Sequence, residues 1–502
     1  MMECRFNLID EPWIPVADYG RVSLRQIFSN PEYRSLGGNP VQKIALLKLL
    51  LAIAQAAATP KDEAEWKALG AQELAGRCLS YLDKWHDRFY LYGEKPFLQM
   101  PAIKSARIQS YGAVLPEVST GNTTVLSQQQ VQKHLDDGER ALLLLTLMGF
   151  ALAGKQTDND VVLTTGYMAK SKSGKAGPSV EYKGLLHTFL LGRTVSESLW
   201  LNLLNERQLE QMNIYQEGVG CAPWELMPEG EGCDKARRLR NSLMGRLLPM
   251  CRFCLLVDDG LHYSEGVAHL GYKEGVVDPS MAINYSGKDP KALWVDPEKR
   301  PWRELTSLLG FFDQLGSQGF QCWQVLNGLD RACDVVDSFS IWSGGLSVSS
   351  TMGEQKVSGN DDYVESSVSL ESTVLGQSWL SQLKQEMDEL DTLSNILWGK
   401  VRSYFSTLKA DNGKDVNKTH AGRMARGAKG LFWQLCERDF QDLVDQCDQT
   451  EQAANDRHKL RRRFAGYVHQ AYDQYCPRET ARQLDAWAKC RPNNSKYLKQ
   501  EA

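Results

Sequence analysis

From about residue 371 onward, the chain repeats apolar side chains at a helical period. Apolar positions three and four residues apart lie on one face of an α-helix, and that face must be covered by another layer. Three further helical stretches follow the first, so the sequence predicts a four-helix bundle over residues 371–502. The first apolar stripe contains Trp379, Leu383, Met387, Leu390, Leu393, Ile396 and Leu397.

Residues 1–370 have a different pattern. Residues 41–58 are apolar at helical spacing, but from residue 185 short apolar runs alternate with Gly, Pro and Asp turns, as in LLPMCRFCLLVDDGLHY. Short strands mixed with helices are typical of an α+β domain. The predicted fold class is therefore α+β: a mixed N-terminal domain with long loops over residues 1–370, followed by the bundle.

The N-terminus and the cysteines point to the cytoplasm. The start, MMECRFNLID, lacks a basic region followed by an apolar run, and Lys43, Lys48 and Gln55 interrupt the most apolar helix. Neither secretion nor membrane spanning is expected. The 12 cysteines are spread over 502 residues, which is typical of reduced thiols in a cytoplasmic protein.

The charge distribution is uneven. The formal net charge is −4, yet residues 400–502 hold 20 Lys and Arg against 13 Asp and Glu, a local balance of +7. A near-neutral total argues against a protein that coats nucleic acid, whereas a basic segment is compatible with gripping phosphates.

Enzyme motifs are missing from the sequence. It contains no GxSxG, GxGxxG or HExxH string and no GxxxxGK followed by Ser or Thr, so we expect no hydrolase triad and no nucleotide cofactor. One metal-like pattern remains, Cys251 and Cys254 with His262 and His269 downstream, which would suit a zinc-dependent hydrolase or nuclease. Because the two cysteines lie in an apolar strand-like run, two packed free thiols are the favoured interpretation.

Two N-terminal strings carry a resemblance to a known family. FNLIDEPWIPV at residues 6–16 and WHDRFYLYGEKPFLQ at residues 85–99 closely resemble the large subunit of the type I-E CRISPR surveillance complex, the CasA family of Cascade. The resemblance implies a non-catalytic reader of the protospacer-adjacent motif in duplex DNA, which starts strand separation while guide pairing supplies sequence specificity. It also implies four partners: CRISPR RNA, other Cascade subunits, double-stranded target DNA and a helicase-nuclease.

The same resemblance assigns two loops. A polar loop that docks on the 5′ handle of the guide RNA corresponds to Asn122, Thr123, Thr124, Val125, Leu126, Ser127 and Gln128. A glycine-rich loop that approaches the minor groove corresponds to Thr164, Thr165 and Gly166, followed by Lys170, Lys172 and Lys175 as expected phosphate contacts.

A wedge hairpin is expected near residue 350. SGGLSVSSTMGEQKVSGNDD has the pattern of two short strands around a turn at residues 352–355. The resemblance implies that Gln355 is the amide at the tip, beside Gly353, and that Met352 unstacks a base step. It also implies that Lys273 reaches into the minor groove.

In the predicted bundle, two cationic helix faces could contact the target or displaced strand. They contain Arg423, Arg426 and Lys429, and Lys459, Arg461, Arg462 and Arg463. The alternative is a purely structural adaptor in a ribonucleoprotein, in which these faces serve protein contacts or are simply solvated.

Overall fold

A computed structural model describes residues 4–116, 133–154, 157–161, 163, 175–309, 319–351, 354–357, 362–410 and 418–498. The chain divides into two compact units, with the change between Ser367 and Val368. The first unit mixes helices and strands and the second is helical. The predicted α+β fold class with a helical C-terminal region is confirmed.

The α-helices of the first unit are α1 (Leu24–Ser29), α2 (Pro40–Ala58), α3 (Glu63–Lys84), α4 (Tyr111–Val114), α5 (Asp137–Phe150), α6 (Val195–Asn202), α7 (Glu206–Met212), α8 (Asp234–Arg240), α9 (Met244–Leu247), α10 (Leu305–Leu308) and α11 (Trp323–Val335). Its strands are β1 (Arg5–Asn7), β2 (Ile14–Val16), β3 (Gly20–Val22), β4 (Tyr90–Tyr92), β5 (Ile108–Gln109), β6 (His187–Leu191), β7 (Arg252–Val257), β8 (Gly260–Glu265), β9 (Ala282–Asn284), β10 (Lys291–Ala292), β11 (Gln321–Cys322), β12 (Ser338–Leu346), β13 (Ser349–Thr351), β14 (Glu354–Lys356) and β15 (Tyr363–Glu371).

Helix α2 lies in the core of the first unit. Asn39 caps its N-terminus by accepting a hydrogen bond from the backbone N–H of Gln42, whose side chain bonds back to Asn39, and Pro40 occupies the first turn. The helix is apolar on nearly every side, as expected for a buried helix. By length and composition it could cross a membrane, and 78% of its apolar window is buried in the protein. Such burial is typical of a soluble core helix.

Small antiparallel sheets surround this core. Strand β12 lies between β15 and β6, with Trp342 opposite Phe189. Strands β7 and β8 form a hairpin, extended by β5, in which Cys254 faces Tyr263. Strands β13 and β14 are antiparallel with Ser350 opposite Gln355, so the predicted hairpin is confirmed.

In the described part of the second unit, the longer helices are α12 (Gln377–Ala410), α13 (Lys418–Glu437), α15 (Glu451–Tyr475) and α16 (Ala481–Cys490). The short helices α14 (Phe440–Asp445) and α17 (Ser495–Leu498) accompany them. Helix α12 packs against α13, α15 and α16. Its predicted stripe is buried from Trp379 to Leu397, except that Ile396 is half-exposed.

Candidate nucleic-acid interface

The segment 175–184 joins several parts of the first unit, and buried polar groups hold its inner side. The Lys48 ammonium donates to Ser179 Oγ at 2.9 Å and forms an ion pair with Asp278. His187 Nε2 donates to the carbonyl of Ser179 at 2.8 Å. Asp278 Oδ1 accepts bonds from the N–H and Oγ of Ser280 at 3.0 and 2.7 Å. These bonds fix the backbone of the segment against the core.

The β13–β14 hairpin attaches to the same segment. Ser350 Oγ donates to the carbonyl of Tyr182, and Gln355 Nε2 donates to the carbonyl of Glu181. The N–H of Val348, just before the hairpin, donates to the carbonyl of Lys183 at 3.0 Å. The hairpin and the segment therefore form one connected surface.

A third element, the 3₁₀ turn Tyr272–Glu274, brings Lys273 to this surface. The Lys273 ammonium lies 5.7 Å from the centre of the Tyr182 ring, and that of Lys183 lies 5.8 Å from it. Both distances are within the range of a cation–π contact. The Tyr182 ring is tilted by 60° against Trp294, at 4.5 Å between centroids.

We call this surface the 175–184 face and define it by the exposed side chains of Lys175, Tyr182, Lys183, Lys273 and Lys356. It contains four ammonium groups. Two acidic groups lie in the same region: Glu274, which accepts a 2.8 Å bond from the N–H of Gly271, and Glu181, which interacts with Glu274 and Lys273. Burial raises the pKa of Glu181, and the neighbouring Glu274 raises it further. The balance of charge on the face is cationic, as needed for contact with phosphates.

The assignment of Gln355 to the hairpin tip is wrong. Gln355 lies within β14, and only 2% of it is exposed. Its Oε1 accepts a bond from the N–H of Ala153 at 2.9 Å, while its Nε2 is held by Glu181. Because alternate residues of a strand face opposite sides, Gln355 points inward and Lys356 outward. Gln355 thus anchors the hairpin instead of probing a partner.

Replacing Gln355 with alanine is expected to lower the free energy of unfolding of the first unit by about 1–3 kcal/mol, because two buried backbone groups would lose their partners. Urea unfolding measures this cost. The matched control is Lys356→Ala, which changes the adjacent exposed residue and should leave the midpoint almost unchanged. Equal midpoints for Gln355→Ala and the parent chain would contradict the anchoring role.

The other assigned residues divide into two groups. Lys175 and Lys273 lie on the 175–184 face. The remaining residues lie outside the part of the chain that the structure describes: Thr164, Thr165, Gly166, Lys170, Lys172, Met352, Gly353 and the handle-docking residues Asn122, Thr123, Thr124, Val125, Leu126, Ser127 and Gln128.

The cationic residues of α15 do not form one free face. Arg461 donates to the buried carboxylate of Glu386 at 2.8 and 2.6 Å. Arg463 donates to Asp439 at 2.5 Å, and Lys459 pairs with Asp456 at 2.7 Å. Since consecutive helical residues are about 100° apart, Arg462 points elsewhere and is exposed. The prediction of a shared strand-binding face is therefore wrong for Arg461, whose charge is used inside the bundle.

On α13, the spacing of three places cations on the outer side of the bundle. Arg423 and Arg426 are exposed, and Lys429 is half-exposed with its ammonium 3.3 Å from Asn395 Oδ1. Arg423 contacts His420 Nδ1 at 3.4 Å. This helix keeps an outward cationic surface.

The cysteine pair does not build a zinc site. The Cys251 thiol donates to the carbonyl of Leu147 at 3.3 Å, and burial raises its pKa to about 11. Burial also raises the pKa of Cys254. His262 Nδ1 and His269 Nε2 instead bond the carbonyls of Ala106 and Pro249 at 2.7 and 2.6 Å. No group of three metal-ligating side chains occurs among the described residues. The residues named for a zinc-dependent hydrolase are therefore not arranged as metal ligands.

Comparison with protein families matches residues 7–471 to the CRISPR-associated protein Cse1 family. The chain belongs to this family. A curated relative, the CRISPR-associated protein CasA/Cse1 of Thermus thermophilus, is 27% identical over 329 residues. That alignment covers 61% of this chain and 60% of the relative, so the chain spans less than two thirds of the relative's length.

Solved structures share the Cse1 fold. The crystal structure of CasA from Thermus thermophilus superposes with a TM-score of 0.73 at 20% identity, covering 98% of this chain and 99% of that one. A chain of a structure described as a CRISPR RNA-guided surveillance complex superposes with a TM-score of 0.63 at 16% identity, covering 99% of this chain and 100% of that one.

Four residues of the 175–184 face and its support were not assigned from the sequence: Tyr182, Lys183, Trp294 and Lys356. Nothing in the local sequence marks Tyr182 as exposed, since a lone tyrosine between Glu181 and Lys183 is as compatible with a buried strand. The contact between Tyr182 and Lys273 joins residues 91 positions apart. Within a Cse1-family chain this grouping can be recognised only from the fold.

Proposed function

We propose that this chain is the non-catalytic large subunit of a type I-E CRISPR RNA-guided surveillance complex in the cytoplasm. In that role it recognises the protospacer-adjacent motif in double-stranded DNA, starts unwinding and R-loop formation, and helps position the helicase-nuclease for antiviral defence. Membership of the Cse1 family supports this proposal, as does the fold shared with a chain of a surveillance complex.

The observation that carries the proposal is the meeting of Lys183 and Lys273 with the β13–β14 hairpin around Tyr182. Ammonium groups bind phosphates and so position a protein on a duplex without reading its sequence. A hairpin fixed beside them is suited to enter a groove or a base step. Motif reading and strand separation require the lysines and the hairpin to lie close together, because the motif is read where the strands are first separated.

The contacts with the other partners are inferred from the resemblance to the CasA family. The segment 122–128 is proposed to dock on the guide RNA handle, since polar and flexible side chains suit a splayed RNA backbone. Residues 1–370 would then carry handle docking and motif reading. The bundle, residues 371–502, would contact the target or displaced strand through Arg423, Arg426, Lys429 and Arg462.

The decisive experiment measures binding of the guide-loaded complex, with and without this chain, to duplexes that differ only in the three base pairs beside the guide-matching region. We expect the chain to create a preference among these duplexes. If affinity is indifferent both to the chain and to the flanking sequence, the motif-reading function is wrong, and a structural adaptor takes its place.

The cationic face makes a quantitative prediction. Replacing Lys175, Lys183 and Lys273 with alanine should weaken duplex binding on every sequence and reduce the slope of log affinity against log salt by about 3, roughly one for each lost phosphate contact. Affinities of the assembled complex between 50 and 200 mM salt, roughly the range in which such contacts dominate, measure this slope.

The control for this triple variant removes the same charge from another place. Lys61, Lys67 and Lys84 lie on or next to α3 and carry none of the contacts described for the face. Changing these three to alanine should leave the slope within about 1 of the parent value. Equal slopes for both triple variants would show that the lysines of the face do not contact phosphates.

Neighbouring arginines of α15 provide a second test. Arg462→Ala should weaken binding to the opened target with little change in stability, since Arg462 is exposed. Arg461→Ala should instead lower the free energy of unfolding by about 1–3 kcal/mol, because it removes charged hydrogen bonds to the buried Glu386. Urea unfolding and strand-binding titrations separate the two effects, and the reverse pattern would contradict the assignment.

A further inference from the structure

Gln355 is buried and offers no amide to the 175–184 face, but the face holds an exposed aromatic ring. Tyr182 is 40% exposed, although large apolar side chains in this unit are mostly buried. Its backbone carbonyl is held by Ser350 of the hairpin, and its ring rests against Trp294 at 4.5 Å. Trp294 is in turn packed edge-on by the buried Tyr272, at 6.0 Å and 70°. The ring is therefore preorganised at the surface.

The charge around this ring indicates what it binds. Two ammonium groups, those of Lys183 and Lys273, lie within 6 Å of the ring centre from residues far apart in sequence. An aromatic ring that only seals a protein contact needs no such pair of cations. A nucleotide has a flat π-face and a negative phosphate, and it is bound by aromatic rings flanked by cations.

We propose that Tyr182 is a stacking site for a nucleobase that leaves the duplex beside the recognised motif, with Lys183 and Lys273 holding the adjacent phosphates. This inference rests on the proposed function and adds the residue that receives the opened base. The hairpin, anchored by Gln355, would hold the ring in position, and Tyr182 would stabilise the opened state. Stacking is tolerant of base identity, so Tyr182 promotes opening without reading the motif.

The test places 2-aminopurine opposite the base proposed to stack on Tyr182, because this probe becomes fluorescent when it loses its duplex neighbours and the ring does not cover it. The guide-loaded complex contains the parent chain, Tyr182→Ala, Tyr182→Phe or Tyr182→Trp. We expect Tyr182→Ala to lower the equilibrium constant for opening about 5- to 150-fold, the range for the loss of one base–aromatic stack. Tyr182→Phe and Tyr182→Trp should retain opening, because they keep a flat ring.

The control variant is Tyr19→Ala. Tyr19 is 51% exposed and packs edge-on against Tyr33 at 4.9 Å, so it is an exposed tyrosine without a flanking pair of lysines among the described residues. It should open DNA like the parent chain. Urea midpoints of all variants should agree, which separates a lost contact from a folding defect.

Three outcomes would overturn the stacking site. One is normal opening by Tyr182→Ala, and another is an equal loss in Tyr182→Phe, which would assign the effect to the hydroxyl group. The third is failure of Tyr182→Ala to join the complex, which would make Tyr182 a protein contact. A different result would refute the proposed function, namely a complex that contains the parent chain and shows no motif preference. Motif preference with unchanged opening by Tyr182→Ala removes only the stacking site.

Discussion

Replacing Lys48 with methionine is expected to lower the free energy of unfolding by about 3–5 kcal/mol, because it leaves the Asp278 carboxylate buried without its cation. Side-chain exposure is only 3% for Lys48 and 7% for Asp278. Burial alone raises the pKa of Asp278, but Lys48 and His187 outweigh it and hold the pKa at about 2. The carboxylate is thus charged at neutral pH and depends on Lys48. Urea unfolding of the chain measures the loss.

The same helix supplies a matched control. Lys43 pairs with Glu365 at 2.8 Å, but their side chains are 23% and 34% exposed, so water screens the pair. Lys43→Met should cost only about 0–1 kcal/mol. The double variant Lys48→Met with Asp278→Asn removes both charges and keeps an acceptor for Ser280, so it should recover most of the stability. A double variant no more stable than Lys48→Met would contradict the explanation.

The ion pair also matters for the proposed function. Lys48 donates to Ser179, and Ser179 accepts from His187 through its carbonyl, so the core network ends in the segment that carries Tyr182 and Lys183. A charge pair at the centre of the first unit therefore sets the position of groups proposed to touch DNA. Loss of the pair should affect motif preference in the folded fraction as well as stability.

Periodicity explains which parts of this architecture the sequence can predict. The α12 stripe from Trp379 to Leu397 follows the helical repeat over many turns, and a repeat of that length admits few alternatives. The apolar spacing predicts helix α2 at 41–58, and the helix begins one residue earlier, at Pro40. The hairpin is predictable because two short strands flank a turn. In each case the signal lies within neighbouring residues.

The misplaced residues depend on contacts between distant residues. Gln355 is polar and near a turn, which suggests a tip, but the strand resumes at Glu354, and the alternation of side chains then turns Gln355 toward Ala153. Arg461 is one of three consecutive arginines, and only the buried Glu386, 75 residues earlier, decides which of them faces inward. The local sequence pattern predicts the strand or helix, whereas a contact with a distant residue decides the role of the side chain.

The role of Lys48 also depends on a distant partner, but here the sequence analysis assigned no role to the residue. A lysine in an apolar helix argues against a membrane span, yet the sequence does not show what Lys48 contacts. Its partner Asp278 lies 230 residues away, in a turn where an aspartate is common for local reasons. The pairing is visible only when the fold brings both charges to a buried site. The surrounding hydroxyls of Ser179 and Ser280 satisfy the remaining bonds.

Acid is expected to weaken the first unit well above the pH at which most carboxylates titrate. Burial lowers the pKa of the His187 imidazole from its ordinary 6.5 to about 4, and the nearby Lys48 charge contributes to this lowering. Burial and Arg246 lower the pKa of His269 to about 3. Both imidazoles are therefore neutral in the folded chain at pH 5 but protonated when it unfolds. The unfolded state then binds more protons, so stability falls as pH falls below 6.5.

Between pH 7 and pH 5 the two histidines together should lower the free energy of unfolding by about 2–4 kcal/mol, in nearly equal shares, because both folded-state pKa values lie well below 5. Urea unfolding at a series of pH values measures the slope. His187→Asn should be less stable at pH 7 but lose less stability on acidification. The number of protons taken up on unfolding at about pH 5.5 is a second measurement. The two imidazoles should together take up more than about one proton per chain. Stability that is constant or rises as pH falls from 7 to 5 would contradict the neutral, buried state of His187.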